Sequence, residues 1–167
     1  MTRHSDLVLV VATLDLDNER HLLLRRHPKW GDWSLVGGHV EEDEKNDWAR
    51  AAVRECNEEL SPLVYGQDFS LLPLLDRPMK WGPVPSKSAG GELTTYSAQV
   101  FALRFLKSPR ECLGALPPKD FRLDKEGEIP VSGAEEMSLQ ARVLDKVESR
   151  ILAWDQRLSG SEARIGD

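Results

Sequence analysis

The pattern of apolar and polar positions predicts strands in the first part of the chain. Leu7 to Leu16 is rich in Val and Leu and runs into Asp17-Asn18, two residue types that favour turns. The next run, His21 to Arg26, is mostly Leu and is expected to pair back on the first as a hairpin. Trp33 to Val36 predicts a further short strand, which Gly37-Gly38 end. Together these segments predict the start of a mixed sheet.

From Asp47 the apolar period changes from that of a strand to that of a helix. Apolar residues recur three and four positions apart at Ala49, Ala52, Val53, Cys56 and Leu60, while the other sides carry Arg50, Arg54, Glu55, Glu58 and Glu59. Asp47 is the predicted N-cap and Pro62 the predicted stop. The pattern therefore predicts a helix from Asp47 to Leu60, with Cys56 as a small buried apolar residue.

Strands and long loops alternate in the middle of the chain. Phe69 to Leu75 and Thr94 to Leu106 have strand composition, and the second is expected to be central in the sheet. A weak strand is predicted at Phe121 to Leu123. Arg77 to Gly91, with three Pro and three Gly, predicts a long loop that binds ligand or covers a site. Ser108 to Asp120 is also expected to be irregular.

The last part of the chain predicts a long amphipathic helix. Its apolar positions are Met137, Leu139, Val143, Leu144, Val147, Ile151, Leu152 and Trp154, and the helix is expected from about Glu135 to Leu158. The tail, 158–167, is expected to fray. With 167 residues, the chain is expected to form a single domain.

Composition and charge narrow the choice of partners. The chain is 40% hydrophobic and 30% charged, which is typical of a soluble globular protein. A net charge of -6 argues against binding of a nucleic-acid polymer, which needs Lys and Arg against phosphates. Cys56 and Cys112 form no C-x-x-C pair, and the apolar run Leu7 to Leu14 is too short to span a membrane. We expect a cytoplasmic protein with no membrane partner, as a monomer or as a homodimer.

Three glutamates share one face of the predicted helix. Glu55, Glu58 and Glu59 stand at i, i+3 and i+4, and three like charges this close destabilise a helix unless a cation neutralises them. Mg²⁺, with Mn²⁺ as a substitute, takes oxygen ligands and keeps waters for a phosphate-bearing ligand. Arg54 points about 100° round the helix from Glu55, so we expect it to hold carboxylates or the preceding loop.

The segment from Gly37 to Leu60 resembles the Nudix box. That pattern reads G-x5-E-x7-R-E-U-x-E-E-x-G-U, where U is an aliphatic residue. Its second half appears here as Arg54-Glu55-Cys56-Asn57-Glu58-Glu59, with Gly37-Gly38 at the paired glycines and Ala51-Ala52 at the small residues before the arginine. The chain is similar to the Nudix family over about two dozen residues.

The segment departs from the family pattern at two places. Gly38 and Arg54 are sixteen positions apart where the pattern has fourteen, so two residues are inserted. The glutamate expected eight residues before the arginine falls on Asn46, and the stand-ins are Glu41, Glu42, Asp43 and Glu44. At the far end Ser61 replaces the glycine of the pattern, and Pro62 replaces the aliphatic residue.

The resemblance implies an α/β fold, a Nudix-type α/β/α sandwich with a mixed sheet between helices. It implies a magnesium-dependent hydrolase that cleaves a phosphoanhydride bond in a nucleoside diphosphate derivative or related nucleotide. The metal ligands it implies are Glu55, Glu58, Glu59 and the backbone carbonyl of Gly37, and Arg54 belongs to the same catalytic set. A further glutamate acts as base in some members, and the candidates here are Glu92, Glu126 and Glu128.

Several alternatives stay open. The glutamates could form a solvated helix face with no metal, and the insertion with Ser61 favours a second hypothesis, a Nudix-fold nucleotide-binding or sensor module with weak turnover. The candidates for substrate binding are Gly38, His39, Trp81 and Glu92. Trp33 fits the core better than a ligand site, and an exposed or structural histidine explains His39 equally well.

Overall fold

A computed structural model of the chain describes residues 2–29, 31, 33–86, 89–125, 157–158 and 165–166. The strands are β1 (Arg3–Val11), β2 (Thr13–Leu16), β3 (Glu19–Arg26), β4 (Trp33–Ser34), β5 (Val36–His39), β6 (Phe69–Pro73), β7 (Met79–Ser86), β8 (Glu92–Phe105), β9 (Phe121–Lys125) and β10 (Arg157–Leu158). The helices are α1 (Trp48–Glu59) and α2 (Pro109–Ala115), and a 3-10 turn spans Glu42–Glu44.

Within the described residues the strands form two sheets of five strands each. In the first sheet the order is β5-β1-β8-β6, with β7 also paired to β8. Strands β1 and β8 run parallel and the other pairs are antiparallel, so this sheet is mixed, and β8 is central as predicted. In the second sheet the order is β10-β2-β3-β4, with β9 on β3. The mixed α/β class is confirmed.

The predicted first strand is two strands, and they belong to different sheets. Strand β1 ends at Val11, and β2 pairs with β3 through a turn at Asp17 and Asn18. The φ angles there are 52° and 69°, the left-handed values that suit a two-residue hairpin. The hairpin prediction is confirmed, and the division at Ala12 explains why one mixed sheet was expected where two are found.

The core lies in two layers because side chains of β1 alternate between its faces. One layer packs beneath α1 and contains Val8, Val10, Ala51, Ala52, Cys56 and Phe101. The other lies on the opposite face of β1 and contains Leu9, Val11, Leu22, Leu24, Leu35 and Val100. Helix α1 is thus fixed on the first sheet by its apolar face, which leaves the charged face with the glutamates beside β5.

Helix α1 begins and ends where its sequence predicts. The Asp47 side chain caps the helix by accepting a hydrogen bond from the backbone N–H of Arg50 at 3.3 Å. At the other end the N–H of Leu60 donates to the carbonyl of Cys56 at 2.8 Å, and Cys56 is fully buried as expected. Both helices in the described part of the chain are too short or too polar to cross a membrane.

The two segments predicted as loops contain regular structure, so these predictions are wrong. Within Arg77 to Gly91 lies β7, which pairs with β8 and has a bulge between Trp81 and Val84. Prolines suggested a loop, but Pro83 lies in the bulge and Pro85 lies on an edge strand, and a sheet tolerates proline in both places. Within Ser108 to Asp120 lies α2, with Pro109 in its first turn, where a missing N–H costs nothing.

The paired glycines lie inside β5 and do not end a strand, which corrects the sequence prediction. Gly37 pairs with Leu9 and Gly38 with Val8. A Cβ on Gly37 would stand 2.1 Å from the carbonyl oxygen of Val8, and one on Gly38 would stand 2.4 Å from Glu55 Oε1. The glycines are therefore needed for close approach between β1, β5 and α1.

The predicted C-terminal helix, Glu135 to Leu158, lies outside the described residues except at its last two positions. Those residues form β10 and run parallel to β2, so the prediction is wrong at that end. Strand β10 pairs with the edge of β2 that faces away from β3. Further along the predicted frayed tail, Gly166 donates its N–H to the carbonyl of Leu113 at 3.1 Å.

Substitution of Gly37 by Ala should destabilise the protein by about 2–4 kcal/mol, because the new methyl group meets backbone that cannot move aside. Gly66→Ala is the matched control. Gly66 also has a positive φ, but nothing lies within 4 Å of the Cβ it would gain. Its cost should be about 1 kcal/mol. Denaturant unfolding measures both, and equal losses would contradict the close-approach argument.

Candidate active site

A bidentate ion pair joins the 3-10 turn to α1. Arg54 donates from Nε to Glu44 Oε2 at 2.9 Å and from Nη2 to Glu44 Oε1 at 2.9 Å. Nη2 also donates to the carbonyl of His39 at 3.0 Å. Glu44 is only 2% exposed, and its bond to Arg54 lowers the pKa of the Glu44 carboxyl. The Arg54 guanidinium therefore closes the loop between β5 and α1, as its predicted loop-holding role requires.

This contact favours Glu44 among the four stand-ins for the first glutamate of the pattern that the segment resembles. Counting back from Arg54 led to Asn46, because the two extra residues lie between Glu44 and Arg54. Counting six positions forward from Gly38 leads to Glu44 directly. The signal was therefore present in the spacing on the glycine side of the insertion.

The segment that follows Glu44, which contains the two extra residues, is held in place by side-chain contacts. Lys45 Nζ contacts Asp6 Oδ2 on β1 at 2.8 Å, and Trp48 Nε1 donates to the Lys45 carbonyl at 3.1 Å. The N–H of Glu41 donates to Glu44 Oε1 at 3.0 Å. The extra residues thus lengthen the connection without displacing Glu44 from Arg54.

Glu59 is held by donors from two different elements. Its Oε2 accepts a hydrogen bond from the N–H of Gly37 at 2.9 Å, and its Oε1 accepts one from Arg25 Nη1 at 3.0 Å. The side chain is 14% exposed. Burial raises the pKa of Glu59 to about 7, although Arg25 and the Gly37 N–H act in the opposite direction. The loss of hydration thus raises the pKa of Glu59 by more than its two contacts lower it.

Glu55 and Glu58 both lie beside the same nitrogen of the Arg54 guanidinium. Arg54 Nη1 is 3.1 Å from Glu55 Oε1 and 3.6 Å from Glu58 Oε2. Glu55 is 13% exposed and lies against Gly38, and burial raises the pKa of its carboxyl. Glu58 is 61% exposed. Of the three predicted metal ligands, Glu55 and Glu58 therefore lie beside Arg54, and Glu59 lies between Arg25 and Gly37. Glu55 and Glu59 are mostly buried, and Glu58 is open to solvent.

A second group of acidic residues lies in the connection between β5 and α1. Carboxylate oxygens of Glu41, Asp43 and Glu44 come within 4.8 Å of one another. Both oxygens of Glu44 already accept from Arg54, and Arg50 Nη2 lies 3.4 Å from Asp43. This group is therefore partly neutralised by arginines, whereas Glu59 and Glu55 retain the raised pKa of buried, incompletely compensated carboxyls.

The predicted substrate-binding residues are placed in different regions. Gly38 lies against Glu55, but the His39 side chain bonds Ser5 Oγ through Nδ1 at 2.8 Å. Burial, followed by Arg3 and Lys45, lowers the pKa of His39. Adjacent strand residues point to opposite faces, so His39 faces away from Glu55.

Trp81 and Glu92 lie farther from the carboxylates. Trp81 is opposite Tyr96 in the β7–β8 pair, and Glu92 is opposite Ser86. Glu92 starts β8, six residues before Ala98, which lies beside Leu7 and hence on the level of His39. At about 3.3 Å a residue this places Glu92 about 20 Å along the strand. The other candidate bases, Glu126 and Glu128, lie outside the described residues.

Trp33 occupies the structural role that its strand predicts. It packs against the core layer on the face of β1 away from α1. The guanidinium of Arg122 lies 4.3 Å from the centre of its ring. Its ring is therefore already covered on one face by a side chain of this chain.

Arg25 is the residue at this site that sequence reasoning missed. It lies on β3 of the second sheet and contacts Glu59, which is 34 positions away in sequence. Alternation places it on the same face of β3 as Leu23, which packs beneath α1. The alternation of side chains along β3 could have predicted that Arg25 points toward α1. Its partner, Glu59, is evident only from the arrangement of the two sheets.

Comparison with known proteins identifies the family. The sequence matches the model of the NUDIX domain over residues 6–141. The chain belongs to the Nudix family, and it is a Nudix-type pyrophosphohydrolase, an enzyme class that acts on acid anhydrides. Enzymes of this family generally use divalent metal ions. A search of curated proteins finds no match.

Solved structures share the fold. The Ap4A hydrolase of C. elegans has 16% sequence identity and a TM-score of 0.59, with 90% of this chain and 99% of that chain covered. A mutT/nudix family protein from Listeria innocua has 20% identity and a TM-score of 0.56, with 91% and 99% covered. The NUDIX domain of Shewanella oneidensis NrtR, solved with ADP ribose, has 16% identity and a TM-score of 0.52, with 90% of each chain covered.

Glu44→Gln should lower the free energy of unfolding by about 2–4 kcal/mol, because it breaks a buried ion pair and leaves Arg54 without its main partner. Glu42→Gln, in the same turn but exposed, is the matched control and should stay within about 0.5 kcal/mol of the parent. Denaturant unfolding of the two variants measures the difference. Equal stability of the two variants would contradict the structural role of Glu44.

In the absence of metal, Glu59 should make the protein less stable as the pH rises. Its folded pKa of about 7 exceeds the ordinary value of 4.5, so the folded state binds the proton more tightly. The resulting stability is fully present below the ordinary value and is lost as the pH rises through about 7. Denaturant unfolding with a chelator, from about pH 5 to about pH 8, should show a steeper decline for the parent than for Glu59→Gln. Parallel profiles would contradict this assignment.

Proposed function

We propose that the chain hydrolyses a phosphoanhydride bond in a nucleoside diphosphate derivative with Mg²⁺ held by Glu55, Glu58 and Glu59. The observation that carries the proposal is the pair of buried carboxylates at β5, Glu55 and Glu59, whose pKa values burial raises. Buried anions that share one region cost free energy unless a cation joins them. The substrate and the identity of the metal are parts of this proposal.

The donor chemistry of Glu55, Glu58 and Glu59 suits a hard divalent cation, but their carboxylates do not all lie within 4.8 Å of one another among the described residues, as those of Glu41, Asp43 and Glu44 do. Three carboxylates supply the oxygen donors that Mg²⁺ and Mn²⁺ accept. In an antiparallel ladder the N–H and C=O of one residue point to the same side. Since the Gly37 N–H donates to Glu59, the Gly37 carbonyl is expected on the Glu59 side, where it can be a fourth ligand. When bound, the ion draws charge from the phosphoryl oxygens and lowers the pKa of a bound water.

The chain's own residues then orient the reactants. Gly37 and Arg25 fix the Glu59 carboxylate, while Arg54 holds Glu55 against the loop that ends in Glu44. Glu58 is the most exposed of the three and is therefore best placed to accept a proton from an attacking water.

A nucleotide substrate is supported by the proteins that share the fold. One is an Ap4A hydrolase, and another was solved with ADP ribose. Both compounds contain a phosphoanhydride bond attached to adenosine. The net charge of -6 supports a small ligand bridged by a cation over a nucleic-acid polymer. The two cysteines are buried and unpaired, which fits a cytoplasmic location.

The test is a panel of nucleoside diphosphate derivatives, including ADP ribose and Ap4A, incubated with Mg²⁺ and analysed for products. Glu58→Gln and Glu59→Gln should each lower kcat by about 10²–10⁴-fold, because each removes an anionic ligand. Glu42→Gln should retain the parent rate within about twofold. Loss of activity in all three variants would point to a general effect on folding and count against the assigned roles.

Metal titration separates the enzyme from its alternatives. Mg²⁺ or Mn²⁺ should raise the melting temperature of the parent and raise that of Glu59→Gln much less, since a ligand that binds the folded state stabilises it. No shift with either ion would support a solvated helix face. Nucleotide binding without turnover on any compound would support the sensor hypothesis, which the insertion and Ser61 motivate.

A further inference from the structure

Arg25 joins the second sheet to the helix that carries the glutamates. It lies inside β3 between Ser34 of β4 and Phe121 of β9, so its backbone is fixed by strands on both sides. Its Nη1 donates to Glu59 Oε1 at 3.0 Å, and its side chain is 23% exposed. This ion pair therefore joins the second sheet to α1 and is mostly shielded from solvent.

The contact restricts rotation of the Glu59 carboxylate about the last torsion of its side chain. The last torsion of Glu has a broad distribution, so a carboxylate that is held by one oxygen can still turn. Here Arg25 holds Oε1 and the Gly37 N–H holds Oε2, from two different elements. The carboxylate plane is thereby set by the relative position of β3 and β5. Glu58, by contrast, is 61% exposed and its nearest cation, Arg54 Nη1, is 3.6 Å away.

We propose that Arg25 is a positioning residue that fixes the orientation of the Glu59 carboxylate for the reaction. The proposal rests on the proposed function, since it assigns Arg25 to the same site. An arginine suits this task because its guanidinium is rigid, always charged and directional, whereas a lysine carries a single mobile ammonium. Its effect passes through Glu59, because Arg25 Nη1 lies 3.0 Å from Glu59 Oε1.

The kinetic test compares Arg25→Met, Arg25→Lys and the control Arg26→Met in the substrate panel. Arg26 is the next residue on β3, and its exposed side chain points to the other face. Arg25→Met should lower kcat about 10–100-fold with KM within about threefold, because an orienting contact is lost and the substrate-binding groups remain. Arg25→Lys should recover part of kcat, and Arg26→Met should match the parent.

A stability test asks the same question without turnover. In metal-free protein at about pH 8, Arg25→Met should lower the melting temperature by several degrees, because Glu59 then lacks its cation. In a Glu59→Gln background the same substitution should lower it by about a third of that or less. Equal losses in the two backgrounds would overturn the contact between Arg25 and Glu59.

The kinetic outcomes separate the inference from the function on which it rests. A parent that turns over while Arg25→Met keeps its kcat would overturn the positioning role and leave the function intact. A raised KM with unchanged kcat would also overturn it and would make Arg25 a substrate contact. A parent that hydrolyses no compound in the panel would overturn the proposed function and the catalytic role of Arg25 together, and the stability test would still decide the contact.

Discussion

The close approach of α1 to β5 is the constraint on which the candidate site depends. Glu55 lies against β5 because Gly38 has no side chain to keep it away. Glu59 reaches β5 through the backbone N–H of Gly37, and Gly37 in turn lies against the backbone of β1. The same approach removes both carboxylates from water and raises their pKa values. Geometry and electrostatics at this site therefore have one cause, which is the close packing of β1, β5 and α1 that Gly37 and Gly38 permit.

A second contact, between Arg54 and Glu44, fixes the position of the loop that connects β5 to α1. Arg54 reaches from α1 to Glu44 and to the carbonyl of His39, so it ties the end of β5, the 3-10 turn and the helix together. Because this bond is made by side chains at the two ends of the connection, the number of residues between them is free to vary. Two additional residues are accommodated here by Lys45 and Trp48, which anchor the longer segment to β1 and to its own backbone.

Local features of the fold could be predicted from the sequence, and non-local ones could not. The Asp17-Asn18 hairpin and the limits of α1 depend on turn chemistry and on helical spacing, both of which are written in neighbouring residues. The division of the strands between two sheets depends on pairing between distant segments. Strand β7 was missed because its prolines resemble those of a loop, although an edge position makes them acceptable.

The same distinction holds within the site. The three glutamates follow from spacing on one helix, and Glu44 follows from spacing after Gly38. Arg25 does not follow from any local pattern, because its partner lies 34 residues away on another element. The placement of His39 on the face away from Glu55 also required the register of β5 against β1, which fixes the direction of each side chain.

The prolines of β7 have a consequence for how the molecule behaves at high concentration. An edge strand normally presents backbone donors to which a strand of a neighbouring molecule can add. Pro83 and Pro85 leave two of the eight positions of β7 without an amide hydrogen, and the bulge beside Pro83 twists that margin further out of line. This edge of the first sheet is therefore a poor template for strand addition by another molecule. The prolines that made β7 resemble a loop thus also protect the protein against aggregation at this edge.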